Sequence, residues 1–80
     1  MDTLLGSIML FPYDFVPTGW ELCKGQKLQN QEYQALHALL AHRFGDGGPH
    51  HFLLPDLRDK APAPHLHYCI CVEGVFPPRG

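Results

Sequence analysis

Glycine and proline interrupt this chain more than any other feature of it. Eight of each in 80 residues make up a fifth of the sequence. They are the strongest local punctuators of regular structure, so long helices and wide regular sheets have no room. The expectation is short elements joined by defined loops, in a single domain spanning residues 1–80. A chain of this size buries about 60–65% of its unfolded surface. The resulting core is marginal and gains from a staple, a metal or a partner. Apolar residues at 45% and charged residues at 18% fit a globular chain, not a disordered one.

Charge and hydropathy remove several classes of function. The formal net charge is −2, whereas a general nucleic-acid or membrane-surface binder is basic. The longest apolar stretches fall far below the roughly 20 residues of a membrane span, so neither nucleic-acid binding nor membrane insertion is expected. Met1-Asp2-Thr3-Leu4-Leu5 lacks the basic and apolar regions of a secretory signal. The chain is therefore expected to be made in the cytoplasm, and to leave it inside a larger particle or after lysis. No repeat, charge run or low-complexity tract is present.

Read along the chain, Gly6 to Pro12 is an apolar run closed by proline and reads as a buried strand. Pro17-Thr18-Gly19 is turn chemistry, Trp20 to Cys23 a short strand, and Lys24-Gly25-Gln26 a second turn. One helix is expected over Gln31–Phe44. Asn30 would be its N-cap, Glu32 would suit its first turn, and His42 and Arg43 its last. Gly45 would stop it. Tyr33, Leu36, Leu40 and Phe44 form one apolar face, widened by Leu39, with the Ile8 strand and the Trp20 ring as partners. Gly45 to Pro49 is a tight loop. Phe52 to Arg58 is an edge segment or extended loop because of Pro55. Ala61 to Pro64 is a proline-spaced connector, and His67 to Val72 the clearest strand. The class is α+β, loop-rich, with short strands packed on one helix.

Few residues are placed for chemistry. Six histidines is a high count. His50 and His51 read as exposed loop residues. His65 and His67, two apart, share a face if they lie on a strand. A pair of imidazoles is a weak site alone, but with this strand near a three-fold axis the copies together could hold zinc or iron. The odd set Cys23, Cys69 and Cys71 argues against a simple disulfide framework and reads as buried thiols. A bridge from Cys23 to one of the others is the alternative. Cys69 or Cys71 near His67 is the one nucleophile–base candidate, and nothing is placed to orient the imidazole. No enzyme is expected. The glycine-rich Gly45-Asp46-Gly47-Gly48 follows a helix, where a phosphate cradle precedes one. Asp56 and Arg58 read as a loop clamp.

The order of these pieces is more specific than any one of them. Gly6-Ser7-Ile8-Met9-Leu10-Phe11 resembles the G-E-I-R-M-F opening of the phage tail collar domain. Pro17 to Gln26 is similar to that family's P-x-G-W-x-x-C-D-G-Q. Leu36, Leu39 and Leu40 match its L-F-x-L-L helix, and Phe44 to Gly48 its Y-G-G-D-G turn. Phe52-Leu53-Leu54-Pro55-Asp56-Leu57-Arg58 matches F-x-L-P-D-L-R. Tyr68 to Arg79 resembles the N-Y-x-I-A-L-Q-G-I-F-P-S-R ending of the microcystin-dependent-protein branch. Lys24 stands where the family usually has Asp, and His67 where it has Asn. The long glycine-rich segment that usually precedes the last strand is reduced to Asp59–His65, so the chain resembles a minimal collar domain.

The resemblance implies a collar-like fold and a noncatalytic structural module. It implies self-assembly, as a homotrimer or an open fibre, with other tail or fibre proteins as further partners. The location implied is a tail fibre, tail-derived particle or filament. Gly19, Trp20, Cys23, Gly25, Pro55, Asp56, Leu57 and Arg58 would be its structural motif residues. Some tail-fibre tips bind metal through His-x-His pairs on a three-fold axis, which His65 and His67 match in form. The apolar tail Val75, Phe76 and Pro77 either packs on a neighbouring copy or covers the chain's own core. The alternative function is a small binding module for a metal ion, a glycan or a host protein, acting through the histidines and the 45–51 loop.

Overall fold

A computed structural model describes residues 3–78. Its elements are β1 (Ile8–Pro12), β2 (Trp20–Leu22), β3 (Lys27–Gln29), α1 (Gln34–Leu40), β4 (His51–Leu53) and β5 (Leu66–Cys71). This is a small mixed α+β arrangement, and its longest element is the seven-residue helix. Met1, Asp2, Arg79 and Gly80 lie outside the described residues, and with them the last residue of the ending motif.

Two small antiparallel sheets organise the chain. In the first, of order β1-β5-β2, the last strand in sequence is the central one. Ile8 faces Ile70 and Pro12 faces Leu66 across β1 and β5, while Trp20 faces Cys71 and Leu22 faces Cys69 across β2 and β5. In the second, β3 pairs with β4, with Leu28 opposite Phe52. Glycine and proline punctuation produces this shape: Pro12 ends β1, Gly25 separates β2 from β3, and Pro55 ends the extended run after β4. The core gathers Leu5, Cys23, Leu28, Leu36, Leu40, Phe52, Leu54, Ile70 and Val72.

Several expectations need correction. The helix is half the expected length. Asn30 does not cap it, because its Nδ2 donates to Pro49 O at 3.3 Å and its backbone N–H to His50 O at 2.9 Å. Asn30 thus pins the 45–51 loop, and Tyr33 takes the N-cap position with no side-chain bond. Glu32 lies before the helix and His42 and Arg43 beyond it, so none supports its dipole. The helix ends at Ala41, which takes a positive φ of 48°, well before Gly45. That reversal returns the chain so that Asp46 can bridge to Phe52. Leu36 and Leu40 are buried and Leu39 packs on the core, but Phe44 is turned outward.

The strands differ too. β3 was unexpected, since only turn chemistry precedes it and three residues carry no period. β1 forms as a strand but is not buried: Ile8, Met9 and Leu10 are 40%, 51% and 36% exposed. It is a sheet edge, so the core covers little of it. Trp20 is not a helix partner. It pairs with Cys71 while the neighbouring Ile70 belongs to the core. Strand alternation therefore turns Trp20 to the opposite face, where it meets Phe11 edge to face at 5.0 Å.

Candidate functional site

The two signature blocks form one clasp. Gly25 N–H donates to Pro55 O at 3.2 Å, Leu57 N–H to Cys23 O at 2.9 Å, and Leu54 N–H to Gln26 O at 3.1 Å. Lys24 bridges Asp56 between them. The Gln26 side chain closes the turn from inside, donating to Leu22 O at 2.7 Å and accepting from Lys24 N–H at 3.2 Å. Gly25 is required because its φ is +76° and a Cβ would lie 3.3 Å from that of Asp56. Cys23, Leu54 and Pro55 are buried beneath. Cys23, Gly25, Pro55, Asp56 and Leu57 thus come together. Gly19 stands apart, its carbonyl accepting from Val72 and Glu73 at 2.8 and 3.1 Å, and Trp20 sits on the outer face.

Asp56 and Arg58 form a fork: Nε donates to Oδ1 at 2.9 Å and Nη2 to Oδ2 at 2.6 Å. The backbone N–H of Arg58 adds a third bond to Oδ1 at 3.3 Å. The guanidinium bonds, then the backbone bond, hold the Asp56 carboxyl down at about 2. The pair is exposed. It stiffens the loop by local geometry, and isolated exposed pairs add little to stability.

The three thiols are free and buried. Burial pushes Cys23 up to about 12, with Cys69 nearby adding to the effect, and burial also raises Cys69 and Cys71. A nucleophile needs the opposite shift, so these thiols behave as core atoms. His67 Nε2 lies 2.6 Å from Phe15 O. A carbonyl only accepts, so Nε2 carries the proton and Nδ1 is the nitrogen left for any ligand. His65 is exposed and precedes β5, its carbonyl accepting from Tyr13 N–H at 2.8 Å. Among the described residues no group of three or more His, Cys, Asp or Glu could hold a metal within one chain. One copy alone therefore does not fit zinc or iron.

A cleft of about 550 Å³ opens between the clasp and β5, lined by Tyr13, Val16, Leu57, Arg58, His67 and Tyr68 among others. Beside it the surface is apolar. Nine of the ten large exposed apolar residues are Leu4, Ile8, Met9, Leu10, Tyr13, Phe15, Val16, Val75 and Phe76, all on β1 or on segments next to it. The tail is tied there by backbone: Leu5 N–H donates to Val75 O at 2.7 Å, and Val75 N–H to Thr3 O at 2.9 Å. Val75 and Phe76 are turned outward and Pro77 is half-buried. Sequence reasoning named the tail but missed β1. A short apolar run without alternation reads as a buried strand whether or not anything covers it. Among the described residues no helix is long and apolar enough to cross a membrane.

Comparison with known proteins places this geometry. No match is found among curated proteins. The family model of the phage tail collar domain matches residues 6–62, which takes in β1, β2, both halves of the clasp, α1 and β4. These are components of phage tails and structural rather than catalytic, in keeping with thiols that burial has silenced. With most of its length matched, the chain belongs to the phage tail collar domain family.

Proposed function

We propose that this chain is a noncatalytic structural module of a phage tail fibre, tail-derived particle or filament, and that it works by self-assembly, for which the family resemblance implies a homotrimer or an open fibre. The observation that carries this is the apolar surface along β1 and the 75–76 tail. Isolated apolar residues on a surface are ordinary, but a concentration of them marks an interaction site. A marginal core of this size also gains stability by association. Its fold is collar-like, and the ending from Tyr68, beyond the matched stretch, is that of the microcystin-dependent-protein-like branch. Its place is a virion, a tail-derived particle or an extracellular fibre after release. Other tail proteins are its further partners.

Native mass spectrometry of the purified chain, before and after a chelator, tests this. A multimer supports the proposal, and three copies support its three-fold form. A trimer that carries zinc or iron and loses it to the chelator assigns His65 and His67 as a site shared between copies. A metal-free multimer removes that site and leaves the structural reading standing. A strict monomer at high concentration overturns self-assembly and favours a small binding module for a metal ion, a glycan or a host protein, acting through the histidines and the 45–51 loop.

A further inference from the structure

The open edge of β1 carries unused backbone groups as well as apolar side chains. Tyr13 N–H reaches His65 O at 2.8 Å, just past the last register pair, Pro12 with Leu66. Bonded and non-bonded positions alternate along an antiparallel pair. Phe11 and Met9 therefore turn their N–H and C=O toward β5, while Ile8 and Leu10 turn theirs away from it. The other side of β5 obeys the same alternation, since Cys23 N–H reaches Tyr68 O at 3.1 Å. Among the described residues no strand lies beyond β1.

Edges of this kind are normally blunted by a charge, a bulge or a covering segment. Ile8-Met9-Leu10-Phe11 carries no charge, and Pro12 limits the donors to Ile8 and Leu10. Those two residues are self-complementary. If Ile8 lies opposite Leu10 of a second copy, Leu10 lies opposite that copy's Ile8, and the two pairs exchange all their edge N–H and C=O groups. Met9 then meets Met9 on the axis, at a narrow non-bonded pair with Cα atoms ~4.5 Å apart.

We propose that the edge of β1 pairs antiparallel with the same edge of a second copy of this chain across a two-fold axis, making one continuous six-stranded sheet. The pairing covers Ile8, Met9 and Leu10, which are 40%, 51% and 36% exposed, and the other exposed apolar residues lie on the segments that flank this edge. An edge that is uncharged and self-complementary has a second copy of itself as its matching partner. The proposal rests on the self-assembly reading but gives this edge to a two-fold contact in place of a three-fold one, so a chain that is strictly trimeric by native mass spectrometry overturns it and leaves self-assembly standing.

The test is a cross-link in the full chain. Met9→Cys places a thiol on the axis at a separation a disulfide spans; it and its control are made with Cys69 and Cys71 replaced by alanine, because Cys69 faces position 9 across the β1–β5 pair and Cys71 N–H bonds to Ser7 O, while Cys23 is buried. Ser7→Cys is the control, because its two copies would stand ~13 Å apart in this register. Under mild oxidation, Met9→Cys should give at least ten times more covalent dimer than Ser7→Cys at equal concentration. Leu10→Lys, at a position already partly exposed, should weaken association of the uncross-linked chain at least ten-fold while leaving its circular dichroism unchanged. If the wild-type chain is multimeric but Met9→Cys cross-links no better than Ser7→Cys, the two-fold pairing is overturned and self-assembly stands. If the chain is a monomer by native mass spectrometry, both fall.

Discussion

Replacing Gly25 with alanine probes the clasp that joins the two signature blocks. Gly25 has a φ of +76°, and a Cβ there would lie 3.3 Å from Asp56 Cβ and 3.6 Å from Oδ2. The left-handed conformation costs an L-residue roughly 1–2 kcal/mol. The contact is tighter than ordinary packing, so the Asp56 segment must yield by a few tenths of an ångström. That shift pulls on two bonds flanking it, Gly25 N–H to Pro55 O and Leu57 N–H to Cys23 O, each worth about 0.5–1.5 kcal/mol net. The expected loss is about 2–3 kcal/mol, a large part of the ~4–12 kcal/mol available to a chain this long. Thermal unfolding by circular dichroism should show a midpoint roughly 10–20 °C lower. Gly48→Ala is the control, because its φ is +99° but no atom lies within 4 Å of the added carbon. It carries the conformational cost alone. Both variants must be compared at equal protein concentration, since association shifts the midpoint. If they melt within a degree or two of each other, the clasp contact contributes nothing and the role given to Gly25 is wrong.

Two pH-dependent outcomes follow from the same region. Burial raises Cys23 from 9.0 to about 12 and raises Cys69, Cys71 and Tyr33 as well. The folded chain keeps these protons while the unfolded chain loses them, so their contribution is intact below pH 9 and declines as pH climbs toward 12. Urea midpoints should fall across that window, and less steeply in Cys23→Ala; equal slopes in the two proteins would refute the assignment. Asp56 titrates the other way, lowered from 3.8 to about 2 by the Arg58 bonds. Its contribution is present above the ordinary carboxylate range and lost as pH falls through about 2. Carboxyl resonances followed by NMR should give Asp56 a midpoint near 2 that returns toward the ordinary range in Arg58→Ala, and an unchanged midpoint would remove the guanidinium as the cause.

What could be read from the sequence is what depends on local chemistry. The Trp20 strand, the Gly25 turn, the last strand and the Asp56–Arg58 clamp all announce themselves by residue type and spacing. The thiols read as buried because an odd set argues against a simple disulfide framework, and they are free and buried. What could not be read depends on tertiary choice. Asn30 has the chemistry of an N-cap, and only the position of Pro49 and His50 decides that its side chain bonds elsewhere. Ala41 carries no signal for a helix end, yet it takes a positive φ there, and the turns that follow bring Asp46 beside Phe52. The exposure of β1 is invisible because an apolar run reads alike in a buried strand and at an uncovered edge.

The order of the main sheet explains how the return before β5 can be short. Within the matched stretch, 6–62, β1 and β2 do not pair with each other; both pair with β5, which lies beyond it. The matched part is therefore incomplete as a sheet until the chain returns through 59–65. The resemblance implies that other members fill this return with a long glycine-rich segment. Closure entropy rises only as the logarithm of loop length, so the position tolerates a long or a short connection with the same strands on either side. Inserting a flexible Gly/Ser segment of ~20 residues between Ala61 and Pro64 should cost only about 1 kcal/mol. That corresponds to a melting midpoint roughly 4–8 °C lower. Cys71 and Ile70 amides should remain protected in hydrogen exchange, since β5 still enters between β1 and β2. Loss of that protection would mean that the short link itself holds β5 in place, through contacts such as Tyr13 N–H to His65 O, and that the return is part of the fold rather than a connection across it.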